Sequence, residues 1–263
     1  MKRPAKISVT DIDVNFDFTE NCRYWNGFWT RKNGIGAGET DPDSTSAVLR
    51  QYHQALWSRS LPDGRYLDLD FGGASDYLRY GDIRLSSDSI TTGFRYKKYG
   101  GMIESIQKQK DDYKSWMEKF IRSTYTIGGT IIFPAHPNSM NGRRGIDRRI
   151  RDRWDLTLEC IRLYYDGITD SGSNPLGWVL DNDKDFFDLF ADFKGYVEFF
   201  FLQDCVSDDC SAVKMWIPVR PFEDDPLPKS PDEYMRWIDA SLSFVKKRNR
   251  RIADYIQTLK TDK

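Results

Sequence analysis

Histidine and cysteine are both scarce in this sequence of 263 residues. The two histidines, His53 and His136, are far apart, and of the four cysteines only Cys205 and Cys210 are near each other. A zinc site needs clustered Cys and His ligands, and a nucleophilic triad needs a histidine beside its nucleophile. Neither kind of site is therefore expected, and we interpret the cysteines as reduced structural thiols.

The sequence also lacks the segments that would anchor or export it. No apolar run approaches the roughly 20 residues that span a bilayer, and residues 1–10 contain no apolar signal-peptide core. The predicted location is the cytoplasm, with no membrane partner. Lys plus Arg number 39 and Asp plus Glu 40, so the net charge of -1 does not favour nucleic acid, and only a local patch can do so.

A phosphate-binding loop is missing as well. The glycine-rich segment 32–40 has neither the Lys–Ser/Thr pair of such a loop nor the glycine spacing of a dinucleotide-binding turn. We interpret it as a connection that could end an N-terminal subdomain, residues 1–40.

Hydrophobic residues make up 39% of the chain and aromatic residues 14%, which is enough for a packed core. Patterns of apolar residues predict strands at 7–18, 65–70, 77–80, 81–90, 128–134 and 213–219. Helical spacing predicts helices at 46–57, 102–123, 143–165, 186–202 and from Ser230 onward. The predicted fold is a single α+β domain over 1–263. Its N-terminal half forms a mostly antiparallel sheet, packed on a C-terminal helical layer that includes a buried Phe-rich helix.

The predicted helix 143–165 is dense in charge and follows a loop with two asparagines. On a continuous helix one face would carry Asp152, Asp155, Glu159 and Arg162. Arg148 and Arg151 would stand in ion-pairing register with the first two of these acids. The helix is interpreted either as part of a site or as a solvated face held by ion pairs, and both interpretations stay open.

Three blocks of sequence carry a resemblance. They are Asp41–Ser44 with Leu49–Ser58, then Gly81–Ile90, and above all Thr126–Val206 with the phrases IGGTIIFP, DLTLECIR and FKGYVEFFFLQD. Together they resemble a bacterial family known only as a domain of unknown function. The resemblance implies a cytosolic bacterial protein and no assigned activity. Where the family is expected to carry a histidine before the Gly81 strand, this chain has Arg79 and Tyr80.

By elimination, the available chemistry uses carboxylates, arginines, hydroxyls and rings, and we favour ADP-ribosyl transfer from NAD. That reaction needs a cation for the pyrophosphate, hydroxyls, rings for the nicotinamide, and an acid for an oxocarbenium-like centre. The predicted catalytic residues are Glu159 and Asp155. The predicted NAD-binding residues are Arg144, Arg148, Asn141, Tyr52, His53, Ser86 and Ser87. A toxin or phage-defence enzyme acting on nucleic acid or protein, with a neutralising protein partner, would suit such an activity.

Two other functions remain open at this point. A metal-dependent nuclease could hold Mg²⁺ with Asp152, Asp155 and Glu159. A non-catalytic RNA- or protein-binding component could place Arg143–Arg153 on phosphates. The last helix carries a further basic cluster of Lys246, Lys247, Arg248, Arg250 and Arg251. We interpret it as a solvated face, with phosphate contact as the alternative.

Overall fold

The computed structural model describes residues 5–19, 42–72, 76–91, 100–136 and 138–261. Within them lies one antiparallel sheet of three strands, in the order β1 (Leu78–Tyr80), β2 (Ile83–Ser89) and β3 (Thr130–Pro134). Gly81 begins the two-residue turn between β1 and β2 with a φ of 56°, which glycine adopts without a steric penalty. As the central strand, β2 pairs with a neighbour along each edge, and its side chains point alternately to the two faces of the sheet.

Helices make up most of the remaining described chain. In order they are α1 (Pro42–Thr45), α2 (Ala47–Trp57), α3 (Gly100–Gln109), α4 (Tyr113–Thr124), α5 (Met140–Ile146), α6 (Trp154–Tyr165), α7 (Gly177–Asn182), α8 (Lys184–Phe187), α9 (Phe193–Phe199) and α10 (Pro231–Thr261). Short 3-10 turns lie at Val9–Asp11, Ile127–Gly129, Asp188–Phe190 and Gln203–Cys205. The predicted α+β class, with its sheet in the N-terminal half and helices in the C-terminal half, is confirmed.

Helix α10 is the longest element, with 31 residues and a length of about 46 Å. It begins where a helix was predicted from Ser230 onward. Ser230 caps it by accepting a hydrogen bond from the backbone N–H of Glu233 (3.2 Å), and Pro231 is its first residue. The helix packs against α3, α4 and the 3-10 turns at 9–11, 127–129 and 203–205. Beside it, β3 is buried along its whole length.

Arg248 lies on the inner side of α10 and is completely buried. Its guanidinium donates to the carbonyl oxygens of Phe200 (2.9 Å), Gly128 (3.0 Å) and Thr130 (2.6 Å). The Trp57 ring centre is 5.6 Å from the same guanidinium. Burial lowers the pKa of Arg248 to about 9, so the side chain is still charged at neutral pH. One buried cation therefore joins α10 to the start of β3 and to the end of α9.

The Phe-rich run is buried, as predicted, but it is not one helix. The rings of Phe186, Phe190, Tyr196 and Phe200 pack together, with Tyr196 and Phe200 centroids 4.9 Å apart. The helix is broken at Ala191, which has a φ of 65°. Asp192 then starts α9 by accepting a hydrogen bond from the N–H of Gly195 (2.7 Å). The predicted helix 102–123 is likewise divided into α3 and α4.

The predicted strand over 7–18 is wrong, because its polar residues bond to their own backbone. Asp11 accepts from the N–H of Ser8 (3.1 Å), and Asp13 accepts from that of Asn15 (2.9 Å). Asp17 does the same for Thr19 (2.9 Å). Such local bonds compete with a strand ladder and favour turns. The period-two pattern therefore belongs to a 3-10 turn followed by further turns.

The predicted strands over 65–70 and 213–219 are also wrong; each contributes only isolated bridges, such as Asp70 with Arg79 and Val206 with Val213. Side chains satisfy their backbone groups instead. Gln54 donates to the carbonyl of Leu69 (3.0 Å), and an Asp155 oxygen accepts from the N–H of Trp216 (2.8 Å). The alternation of apolar and polar residues in these segments indicates that alternate side chains are buried. It does not indicate that a neighbouring strand is present to pair with them.

The glycine-rich segment 32–40 lies outside the described residues, as does Cys22. The single domain and the possible subdomain 1–40 therefore stay predictions. Among the residues that the structure does describe, no helix is long and apolar enough to cross a membrane.

Candidate functional site

The charged helix predicted over 143–165 is two helices, α5 and α6, separated by a turn. Arg151 and Asp152 have φ values of 51° and 61°, which a continuous helix cannot contain. Asp147 stabilises the turn by accepting from the N–H of Arg149 (2.8 Å). The helical face shared by Asp152 with the acids of α6, and the ion-pairing register of the preceding arginines, were therefore predicted wrongly.

Asp155, a predicted catalytic residue, is completely buried in a network of hydrogen bonds. Arg153 donates to both of its oxygens (3.0 and 2.6 Å), and the N–H groups of Leu156 (3.0 Å) and Trp216 (2.8 Å) donate as well. Arg153 also donates to the carbonyls of Pro226 (2.8 Å) and Ile217 (3.1 Å). This arrangement attaches the segment after residue 213 to α6.

The other predicted residues of this group lie apart from one another. Glu159 binds Arg162 through both oxygens (2.7 and 2.9 Å) on α6. Tyr52 accepts from the N–H of Asp13 (3.2 Å) and packs in a core of rings, while Arg148 is exposed. In the described part of the chain, none of these residues hydrogen-bonds to another predicted site residue. Their catalytic and binding roles stay predictions.

Four other predicted residues do come together, along β2. On one face of the strand, the side-chain N–H groups of Asn141 donate to Ser86 Oγ (2.7 Å) and the Ser87 carbonyl (3.0 Å). Next to them, Arg144 Nη1 donates to Asp88 (2.7 Å). On the opposite face, Ser87 and Ser89 donate to the two oxygens of Asp43 (3.1 and 3.0 Å). We call this set the β2 polar cluster: Asp43, Ser86, Ser87, Asp88, Ser89, Asn141 and Arg144.

Arg144 is the buried anchor of the β2 polar cluster. Besides Asp88, its guanidinium donates to Thr157 Oγ1 and to the carbonyls of Ser89, Ile90 and Asp152, at 2.8 to 3.5 Å. Burial alone would lower the pKa of Arg144, but the nearby carboxylates outweigh it and the pKa is raised. Arg144 is therefore a fixed positive charge whose N–H groups are already engaged.

Asn141 and Ser86 are the members with hydrogen-bonding capacity left over. The amide oxygen of Asn141 is buried and has no partner among the described residues. Ser86 accepts from Asn141, and its own O–H has no acceptor among the described residues. A buried polar atom without a partner is costly, and an unmet acceptor of this kind is a usual sign of a ligand or ordered water. The pair therefore has one acceptor and one donor that no described residue satisfies.

A chain of polar contacts leads from β2 to His53 in the core. The Tyr77 hydroxyl lies 3.2 Å from His53 Nδ1 and contacts Ser87, while His53 Nε2 lies 3.0 Å from Thr130 Oγ1. Burial, with a smaller contribution from the charge of Arg248, lowers the pKa of His53 to about 3. Burial also raises the pKa of Tyr77 well above its usual value. His53 is therefore a neutral hydrogen-bonding residue that positions the strand.

This depressed pKa predicts an acid sensitivity that depends on His53. The unfolded chain takes up a proton at His53 below about pH 6.5, whereas the folded chain does not until about pH 3. The stabilisation is complete above pH 6.5 and is lost as the pH falls. Between pH 6 and pH 5 the free energy of unfolding should drop by about 1 kcal/mol more in the wild type than in His53→Gln. Urea titrations at both pH values measure this, and parallel pH profiles would contradict it.

A second polar pair, which the sequence did not indicate, lies on the loop after β3. His136 Nε2 is 2.8 Å from Asp183 Oδ1, and the N–H of Asn138 donates to His136 Nδ1 (3.3 Å), so Nε2 carries the proton. Burial raises the pKa of Asp183. Beside the pair, the Arg143 guanidinium lies 5.1 Å above the exposed ring of Trp178. A cation and an indole are thus presented to solvent two residues from Asn141.

The structure adds residues that sequence reasoning passed over. Neither Asp43 nor Asp88 was selected from the sequence as a site residue. The available signal was the period of β2, since residues 86 and 88 face one side and 87 and 89 the other. Among the described residues, no group of three or more His, Cys, Asp or Glu side chains is arranged to hold a metal ion.

Comparison with known proteins identifies the family of this chain. No curated protein and no solved structure matches the chain. A family model matches residues 12–252, which includes the three blocks on which the resemblance was based and the region 102–123 that it left out. The chain belongs to DUF6994, a family of unknown function.

Proposed function

We propose that this protein is a nucleotide-handling transferase that moves ADP-ribose from NAD to a nucleic acid or protein, and that the β2 polar cluster is its site. The observation that carries the proposal is the convergence of Ser86, Ser87, Asn141 and Arg144 on one strand. These residues were selected as NAD-binding from sequence. Ser86, Asn141 and Arg144 lie beside Asp88 on one face of β2, and the Ser87 hydroxyl donates to Asp43 on the other face.

The vacant acceptor of Asn141 suits the carboxamide of nicotinamide. That group carries an N–H donor and a carbonyl acceptor, and Asn141 Oδ1 with the Ser86 O–H offers the complementary pair. Because the amide oxygen is buried, such a bond would form in a low-dielectric environment and be stronger than in water. An amide-bearing nucleotide therefore fits these two residues better than a simple phosphate ester.

The charges around the cluster support the rest of the assignment. During transfer, the bond from the ribose C1′ to the nicotinamide nitrogen breaks, nicotinamide leaves with the electron pair, and the acceptor bonds to C1′ and gives up its proton. Positive charge develops on the ribose, and Asp88, partly exposed at the cluster, is the carboxylate that we assign to stabilise it. Arg143 and Trp178 on the neighbouring surface provide a cation and a ring for the rest of the dinucleotide.

The proposal also gives a compartment. We place the protein in the cytoplasm, and the unpaired buried thiols of Cys160 and Cys205 support a reducing environment. The toxin or phage-defence setting and the neutralising protein partner stay predictions.

The test uses NAD labelled in its adenylate phosphate, with total cellular RNA and protein as acceptors. The double variant Ser86→Ala/Asn141→Ala should reduce label transfer about 100-fold, the usual effect of removing a preorganised polar contact to the reacting group. The matched control is Ser115→Ala/Asn182→Ala, at two exposed positions on α4 and α7. It should transfer label at the wild-type rate.

Three results would overturn the proposal. Undiminished transfer by Ser86→Ala/Asn141→Ala would move the site away from β2. No transfer by the wild type, together with RNA cleavage that EDTA abolishes, would replace the transferase with a nuclease. Binding of RNA or protein with neither reaction would replace it with a non-catalytic component.

A further inference from the structure

The basic cluster of α10 is divided into three by its helical geometry. Arg248 points inward to backbone carbonyls, as described above. On one side, Lys247 (4.0 Å) and Arg251 (2.6 Å) lie against Asp204. On the other side, Lys246 and Arg250 face a groove. Interpreting all five residues as one solvated face was therefore wrong for Arg248, and the two sides have different electrostatic surroundings.

The groove has a volume of about 820 Å³ and runs between α10, α4 and the N-terminal segment near Asp17. Its floor is fixed by Asn249, whose oxygen accepts from the N–H of Gly128 (2.7 Å) and whose amide donates to Thr126 Oγ1 (2.9 Å). A Cβ added at Gly128 would collide with Asn249, so the contact requires glycine. The groove is thus built on a well-packed base.

Positive charge exceeds negative charge along this groove. Lys119 and Arg122 on α4 face Lys246 and Arg250 on α10, and Asp17 is the only carboxylate in the described lining. Arg122 is held by Asp17 (2.6 Å) and Glu118 (3.3 Å). Within the described residues, Lys119, Lys246 and Arg250 have no carboxylate within ion-pair distance. Like charges four residues apart on a helix, as at 246 and 250, destabilise it by some tenths of a kcal/mol.

We propose that this groove binds the sugar–phosphate backbone of a single-stranded nucleic acid. The net charge of the chain is -1, so an anion is attracted only by a local excess of cations, and the groove provides one. Three unpaired cations in a concave surface match successive phosphates. The partly exposed apolar side chains of Val14 and Leu242 offer contact to the sugars and bases between them. The site is separate from the β2 polar cluster, and the inference does not depend on the transferase proposal.

The test is fluorescence anisotropy with a fluorescein-labelled single-stranded RNA of mixed sequence, in the absence of NAD. Lys246→Ala/Arg250→Ala should weaken binding at least about tenfold at 50 mM salt. It should also reduce the slope of log K against log salt by about 1.4, since each lost phosphate contact contributes about 0.7. The matched control is Lys229→Ala/Arg236→Ala, which removes one lysine and one arginine from exposed positions near the start of α10. Its affinity should stay within about twofold of the wild type.

Several outcomes would overturn the inference. Equal weakening by the two double variants would mean diffuse attraction and not a groove. Binding that does not change with salt would mean that phosphates are not the contacts. The protein could instead bind phosphatidylserine vesicles and not RNA. If Lys246→Ala/Arg250→Ala also lost that vesicle binding, the groove would be assigned to a lipid surface.

Discussion

Replacing Asp155 by asparagine should lower the free energy of unfolding by about 3–5 kcal/mol, because it leaves the buried Arg153 guanidinium without a counter-charge. Both side chains are at most 1% exposed. The asparagine amide would also point a donor at groups that are themselves donors, the Arg153 N–H groups and the Trp216 N–H. The segment at 216–217 would lose the anchor that substitutes for a strand partner.

Guanidinium-induced unfolding measures the loss, and hydrogen exchange at the Trp216 amide locates it. Glu159→Gln on the same helix is the matched control. Its pairing with Arg162 is partly exposed, so its loss should be under about 1 kcal/mol. If Asp155→Asn kept the wild-type stability but abolished activity, Asp155 would act in catalysis, as first predicted from the sequence. A large loss of stability would make any fall in activity a consequence of unfolding.

Arg248→Met should have the second-largest effect, a loss of about 3 kcal/mol in the free energy of unfolding. Methionine matches much of the arginine volume but leaves the carbonyls of Gly128, Thr130 and Phe200 without this donor. Each unsatisfied buried carbonyl costs about 1–3 kcal/mol, and removing the desolvated charge offsets part of the total.

Arg250→Met, two residues further along the same helix, is the control for Arg248→Met. Its side chain is exposed, and the change should stay within about 0.5 kcal/mol. Arg248→Lys should fall between the two, since an ammonium cannot reproduce the spread of guanidinium donors. The free energies of unfolding of all three variants are measured by urea unfolding at pH 7. Equal stability of Arg248→Met and the wild type would show that the three carbonyls find other donors.

Elements with strong local signals were predictable. Pro231 and Ser230 marked the start of α10, and the apolar run before Pro134 marked β3. The strand pattern at 7–18 misled because aspartates satisfied nearby N–H groups, and a periodicity count does not see that competition. The break at Ala191 inside the Phe-rich run could not be predicted from the pattern of apolar residues, because the apolar side chains on both sides of it are buried.

The site was only partly predictable for a related reason. Ser86, Ser87, Asn141 and Arg144 were chosen by residue type. In the structure Asn141 hydrogen-bonds to Ser86 Oγ and to the Ser87 carbonyl, and Arg144 binds the next residues of the strand at Asp88. By contrast, the sequence cannot distinguish buried arginines such as Arg153 and Arg248 from the exposed Arg148 and Arg250. What separates them is the presence of a distant carbonyl or carboxylate, and that is a property of the folded chain. The acids were grouped on a helix that the structure divides, whereas the polar residues were grouped on a strand that the structure contains.

The position of α10 has a consequence for how the polypeptide is made. Gly128 leaves the ribosome 120 residues before Arg248, the side chain that binds its carbonyl. Contacts between residues so far apart in the sequence form late, and they lower the folding rate. The apolar faces of α3 and α4 also pack against α10, so they stay uncovered until α10 has been synthesised. Until it emerges, the nascent chain carries an uncovered hydrophobic surface, which is the state that chaperones recognise.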